Sequence, residues 1–294
     1  MLAVEHVSKT YGTRRVLDDI DFEVRPGRLT GFVGANGAGK TTTMRCILGL
    51  VRPDAGRALV DGRPVEVRDR ARFGYMPEER GLYAKMRVLE QVAYFGELHG
   101  MDAAAARRSG QALLEELGLG ERLGDRLQDL SLGNQQRVQI AATLVHDPEF
   151  LILDEPFSGL DPVAVDTVLG VLQRYAANGA PVLFSSHQLD VVERLSDDLV
   201  IIAGGRIRAA GERAELQRRH SKGLFRISTD GDAGWMRGAP GVEVVEFDRG
   251  DALLRIAEDD DAQRLLRDAM SRGRVLAFGP HLEKLSAIYK EVVA

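Results

Sequence analysis

A single cysteine among 294 residues excludes an intrachain disulfide framework. Cys46 falls on a segment with helical spacing and reads as a small core residue, in keeping with a reducing compartment. Long apolar runs are also missing. The longest, such as Leu199-Val200-Ile201-Ile202-Ala203, are far too short to span a bilayer. Residues Met1 to Ser8 carry Glu5 and read as the start of a strand rather than as a signal peptide. Any membrane contact is therefore expected to come through another protein. Neither charge dominates: 39 Lys and Arg stand against 44 Asp and Glu, a formal charge of −5, and no long basic run occurs. A dedicated nucleic-acid surface is not indicated. What the chain does have is length, enough for two domains and a substantial core.

The string Gly34-Ala35-Asn36-Gly37-Ala38-Gly39-Lys40-Thr41 fits G-x-x-x-x-G-K-[ST]. Its four fixed positions would coincide by chance in roughly one per cent of chains of this length. Context strengthens the match. Arg28 to Val33 reads as a buried strand entering the loop, and Thr41 to Leu50 as the helix leaving it. The residues expected to hold phosphate are Gly34, Asn36, Gly37, Ala38, Gly39, Lys40, Thr41 and Thr42. Glycines let the backbone turn with positive φ and bring N–H groups close to phosphate oxygens. The helix N-terminus adds partial positive charge at the same point. Lys40 can reach the β- and γ-phosphates, and the Thr41 hydroxyl is the expected Mg²⁺ ligand.

Further along, Phe150-Leu151-Ile152-Leu153-Asp154-Glu155-Pro156 is an apolar strand ending in two carboxylates. Such a strand can deliver Asp154 toward magnesium and Glu155 toward the water that attacks the γ-phosphate. Ser158-Gly159-Leu160-Asp161 follows, and His187 ends another apolar strand in Phe184-Ser185-Ser186-His187. Between the phosphate loop and these segments lies Leu130-Ser131-Leu132-Gly133-Asn134-Gln135-Gln136-Arg137.

In this order, the strings resemble those of the ABC ATPase family, over about residues 1 to 220. Residues 130–137 resemble its signature, commonly LSGGQ followed by QQR, with Leu132 where a Gly and Asn134 where a Gln would stand. The resemblance implies an α/β P-loop NTPase fold of ABC type, with a mixed sheet core, an antiparallel β subdomain and a helical subdomain that carries the signature. It also implies that Tyr11, in Lys9-Thr10-Tyr11-Gly12, stacks on adenine. Asp154 and Glu155 take the Walker B positions of metal ligand and catalytic base, and His187 that of the γ-phosphate sensor. Asp161 belongs to the loop that touches the partner. Ser131 and Gly133 close over an ATP held by the other copy. In Gly74-Tyr75-Met76-Pro77-Glu78-Glu79-Arg80-Gly81-Leu82-Tyr83 the family usually has a Gln where this chain has Glu78. A carboxylate there would meet a divalent ion through charge, and Glu78 is a candidate metal ligand; the alternative is a solvent-facing charge in an exposed loop.

The activity implied is ATP hydrolysis, with ATP and Mg²⁺ as ligands. The expected assembly is a homodimer, or a heterodimer with a related ATPase, driving a transmembrane permease from the cytoplasmic face of the cell membrane. The same engine also serves soluble tasks on ribosomes or DNA. Family members on ribosomes generally carry two such domains in one chain, and those on chromosomes carry long coiled-coil insertions. This chain has one phosphate loop, one signature and no heptad run. Transport is therefore the expectation, with export the expected direction; the cargo is not written in an ATPase subunit.

Residues 2–7 and 16–24 read as strands, as do Gly56 to Val60 and Arg63 to Val67. Helical patterns occupy about 88–99 and 103–118, the second with Asp102 as N-cap and Gly118 as a stop. The signature helix is expected from about Asn134 to His146, ending before Pro148. A helix at 163–178, a strand at 181–185, a helix at 188–195 and a strand at 198–203 restore strand–helix alternation. Near residue 220 the chain changes character, dividing it into 1–220 and 221–294. The second part reads as strands at 224–228, 242–247, 252–257 and 275–278, with an amphipathic helix around 260–271 and another from near Pro280 to the end. That order suggests a small α+β module, with a ferredoxin-like arrangement as one candidate. It also resembles the C-terminal extension of ATPases of antibiotic-resistance and sodium-extruding ABC exporters.

Overall fold

The computed structural model describes residues 1–221 and 223–293. Lys222, in the polar stretch around residue 220, and Ala294, at the end of the expected last helix, lie outside the described residues. Two compact units are present, Met1–Arg213 and Ala214–Glu291.

The first unit contains two sheets. One is antiparallel and consists of β1 (Leu2–Tyr11), β2 (Arg14–Val24), β4 (Ala55–Val60) and the two-residue β5 (Arg63–Pro64), in the order β2-β1-β4-β5. The strand expected to run to Val67 stops at Pro64. Asp69 is buried, accepts the Glu66 N–H at 2.9 Å and holds the Arg63 guanidinium at 2.6 Å, which winds residues Val67–Arg72 into a 3₁₀ turn instead. The arginine beside it holds the Asp69 carboxyl far below the usual carboxylate range.

The other sheet has six strands in the order β10-β9-β3-β8-β7-β6, namely Arg206–Glu212, Asp198–Ala203, Leu29–Val33, Val182–Ser186, Phe150–Leu153 and Phe73–Met76. The five from β9 to β6 run parallel, and β10 pairs antiparallel with β9. Every residue of β3, β7, β8 and β9 is buried. Their near-continuous apolar composition follows from helices covering both faces of a parallel sheet. β10 went unread in the sequence because its residues are exposed or half-buried and carry Arg206, Arg208 and Glu212. The helices of this unit are α1 (Lys40–Ile47), α2 (Val88–Leu98), α3 (Ala103–Glu116), α4 (Leu132–Leu144), α5 (Pro162–Ala177) and α6 (Leu189–Leu195). Asp102 caps α3 by accepting the Ala105 N–H at 2.9 Å, and Gly118 takes φ +73° after it. The signature helix α4 starts at Leu132 rather than Asn134. Ser131 is its N-cap, with its hydroxyl accepting the Asn134 N–H at 3.3 Å.

In the second unit, which α7 (Arg213–His220) enters, Gln217 donates to the Glu283 carbonyl at 3.2 Å. An antiparallel sheet of β11 (Leu224–Thr229), β12 (Val242–Asp248), β13 (Asp251–Ile256) and β14 (Val275–Pro280) has the order β12-β13-β11-β14. This is a split, ferredoxin-like arrangement in which the first crossover is only a 3₁₀ turn at Gly234–Gly238. The second crossover is α8 (Asp259–Arg272), which buries Ala262, Leu265 and Ala269 against Ile227 and Leu254. The last helix, α9, spans Leu285–Val293 and begins later than Pro280, because β14 extends to that proline. No helix among the described residues is long and apolar enough to cross a membrane.

Candidate active site

Strands β3, β8 and β7 lie side by side with Val33 opposite Ser186 and Leu153 opposite Phe184. The segments leaving their carboxyl ends therefore emerge together: the phosphate loop after β3, Asp154-Glu155 after β7 and His187 after β8. Parallel sheets place ligands at this edge, where strand ends and helix N-termini converge.

The loop after β3 bends through Gly37 at φ +78° and Gly39 at φ +115°, conformations that cost a side-chain-bearing residue strain. Gly39 is further enclosed, since a Cβ there would meet Leu17 Cδ2 at 2.7 Å. Gly34 has the same constraint, with the Ile202 carbonyl 2.5 Å from where its Cβ would lie. Ala38 is buried beneath the loop. Lys40 is also buried, and its ammonium donates to the carbonyls of Gly34 at 2.6 Å and Ala35 at 3.4 Å. These partners are neutral, so the loop carries a cation whose charge they do not balance.

The Thr41 hydroxyl donates to Asp154 Oδ2 at 2.7 Å, and Asp154 is 1% exposed. Its other oxygen accepts from the Ser185 hydroxyl. The same Ser185 oxygen accepts the Glu155 N–H at 2.9 Å, so one side chain of β8 ties both carboxylate-bearing residues together. Glu155 has φ +53°, unusual for a residue with a Cβ. Its carboxylate meets His187 Nδ1 at 3.0 Å. Behind it, Gln136 of α4 donates to the carbonyls of Glu155 and Pro156, each at 3.1 Å. Neither Ser185 nor Gln136 has a role of its own in the motifs read above.

A cavity of about 450 Å³ is lined by Tyr11, Arg14, Val16, Asn36, Gly37, Gly39, Lys40, Thr41, Thr42, Glu78, Asp154 and Glu155. Tyr11 is half exposed, leaving a ring face available. Arg14, at the start of β2, adds a second cation that no motif announced. The cradle fits a polyphosphate, and the hard oxygen donors Thr41 and Asp154 fit Mg²⁺. Glu78 is on the cavity wall. Among the described residues, however, only His6, Asp19 and Asp21 on the exposed antiparallel sheet form a trio with ligand atoms within 4.8 Å of one another. Glu78, Asp154 and Glu155 are spaced more widely.

Ser131, Gly133 and Asp161 do not line this cavity. Ser131 caps α4, and Asp161 caps α5 by accepting the Ala164 N–H at 2.8 Å. A Cβ on Gly133 would lie 3.0 Å from the Gly159 carbonyl, so the signature helix starts hard against the segment before Asp161. A second cavity, about 330 Å³ and mostly apolar, has Leu48, Phe73, Pro77, Leu82, Phe95, His99 and His146 among its lining. Burial lowers the pKa of both histidines, that of His146 to about 4, and their rings stack at 3.6 Å.

Comparisons with known proteins agree with the fold. The ABC transporter family profile matches residues 17–158, and that of the ATP-binding protein DrrA1-3-like, C-terminal domain, matches residues 211–293. The uncharacterized ABC transporter ATP-binding protein YhaQ of Bacillus subtilis is 36% identical, over 99% of this chain and 100% of its own length. The Nod factor export ATP-binding protein I of Cupriavidus metallidurans is 37% identical, over 74% of this chain and 72% of its own. A solved ATP-binding subunit of an ABC transporter superimposes with a TM-score of 0.69 at 34% identity, covering 75% of this chain and 93% of that one. The transport expectation, rather than a ribosomal or chromosomal task, agrees with these relatives. The chain belongs to the ABC transporter ATP-binding proteins and is an ATPase subunit of a transporter.

Proposed function

We propose that this chain hydrolyses ATP at a site completed by a second copy, or by a related ATPase, and that closure of the pair drives a transmembrane exporter. The observation that carries the reading is the separation within one chain. Lys40, Thr41, Asp154 and Glu155 share one cavity, while Ser131 and Gly133 at the start of α4 do not line it. The signature thus has no ATP in its own chain and needs one presented by a partner. The positive end of α4 then faces the partner's γ-phosphate.

Tyr11 stacks on adenine, while Asn36, Gly37, Ala38, Gly39 and Thr42 surround the phosphates with backbone donors. Lys40 exchanges its carbonyl partners for phosphate oxygens. Thr41 and Asp154, with Glu78 on the wall, would hold Mg²⁺, which would supply positive charge to offset that of the phosphates. Glu155 accepts a proton from water as the water oxygen bonds to the γ-phosphorus. The bond from that phosphorus to the bridging oxygen breaks, and ADP leaves with the electron pair. His187, at 3.0 Å from Glu155, orients the carboxylate and senses the phosphate.

Glu78 to Tyr83 borders the apolar cavity through Gly81 and Leu82 and carries the closing motion to the permease. Membrane contact is made only through that permease, at the cytoplasmic face, and no nucleic acid is involved. Export is supported by the Nod factor export relative. Co-expression with a multi-span membrane protein encoded beside this chain tests the reading. The expected result is recovery of the chain in membranes only when that protein is present. Recovery with ribosomes instead would contradict it.

A further inference from the structure

We propose that Gln136 is a positioning residue, through which the signature helix sets the backbone that aims Glu155. The inference rests on the reading of Glu155 as the base. Gln136 is 4% exposed, and its amide nitrogen spans two consecutive carbonyls, those of Glu155 and Pro156, at 3.1 Å each. The N–H of Glu155 is fixed from the opposite side by the Ser185 hydroxyl at 2.9 Å. Between these two anchors Glu155 is held at φ +53°, a conformation that persists only where surroundings over-determine it. The direction in which a side chain leaves its Cα follows from that backbone. Releasing the carbonyls lets the peptide relax and the carboxylate swing away from His187.

The other end of the connection is the start of the same helix. Ser131 and Gly133 open α4, and Gly133 approaches the Gly159 carbonyl too closely for a side chain to fit unchanged. One helix therefore presents the signature at its N-terminus and grips the peptide of its own base one turn later. Seating the signature on a partner's ATP and aligning Glu155 for the chain's own ATP become linked events.

The test uses the full chain and its Gln136→Met, Gln136→Glu and Glu155→Gln variants. Gln136→Met removes both donors at nearly constant volume. Its turnover is expected to fall roughly ten- to a hundredfold, with unchanged affinity for a non-hydrolysable ATP analogue. In Gln136→Glu a carboxyl faces two carbonyl oxygens, which favours its neutral form. That form donates one hydrogen bond, and the ionised form donates none. The deficit of this variant relative to the parent chain should therefore shrink on going from about pH 8 to about pH 6. A side chain that merely fills space would leave Gln136→Met, which keeps that volume, at parent-like turnover. Parent-like turnover in Gln136→Met, or a pH-independent deficit in Gln136→Glu, overturns the proposal. If Gln136→Met fails to fold, the pH ratio of Gln136→Glu decides. Parent-like turnover in Glu155→Gln would instead remove the base reading, whatever the Gln136 variants do.

Discussion

Lys40, Asp154 and Glu155 are buried, yet each is engaged: by loop carbonyls, by Thr41 and Ser185, and by His187. In the apolar cavity of the same unit, Gln139 Oε1 and His146 Nδ1 are buried without a hydrogen-bond partner among the described residues. Leaving such a group unpaired costs about 1–3 kcal/mol. The first region is set before its ligand arrives, because the charges of Lys40, Asp154 and Glu155 already have an orientation. The second has polar atoms that nothing among the described residues satisfies, beside the loop proposed to meet the permease. Catalysis needs the former arrangement and transmission of motion tolerates the latter.

The contrast can be broken most sharply at Lys40. Lys40→Ala removes the cation that donates to the Gly34 and Ala35 carbonyls, and ATP affinity should weaken roughly a hundredfold by titration calorimetry. Unchanged binding would mean that the cavity is not the phosphate site. Ser185→Ala unties Asp154 from Glu155. Turnover should drop roughly tenfold while ATP affinity holds, because the reacting groups lose alignment rather than charge; a parallel loss of affinity would show that Ser185 supports the loop instead.

The apolar region supplies a pH-dependent test. The pKa of His146 is about 4 in the folded chain, depressed by burial and by His99 from its ordinary 6.5. Between these values the unfolded chain binds the proton more readily, so stability falls as pH drops from about 6.5 to about 4. The loss should be on the order of 1–2 kcal/mol after allowing for partial exposure, and His146→Gln should flatten it in denaturant titrations. The smallest effect is expected at Glu78→Gln, a few-fold change in the Mg²⁺ concentration giving half-maximal turnover. No change would leave Glu78 as a wall charge without a metal role.

What could be read from the sequence was what depends on short spacing. Gly37, Gly39, Lys40 and Thr41 lie within one turn and helix start, and Asp154 with Glu155 ends one strand, so local pattern placed them. Gln136 and Ser185 were invisible because their partners are neighbours only after folding: Gln136 reaches a peptide 19 residues on, and Ser185 acts across adjacent parallel strands. The start of α4 was misplaced because Ser131 looked like a ligand contact, while its hydroxyl also caps the helix. In the second unit the strands were legible from their apolar alternation. Their order β12-β13-β11-β14 was not, since pairing is fixed by long-range registers such as Phe225 with Leu254 and Ile227 with Phe278.

The central claim is that one chain holds ATP for another chain's signature to close over, with Glu155 opening the pair again by hydrolysis. Sedimentation of the Glu155→Gln variant with and without ATP and Mg²⁺ tests it most directly. The account predicts monomer without nucleotide and a persistent dimer with it, with the bound ATP remaining intact. A variant that stays monomeric with saturating ATP, or that hydrolyses it at the parent rate, would contradict the account.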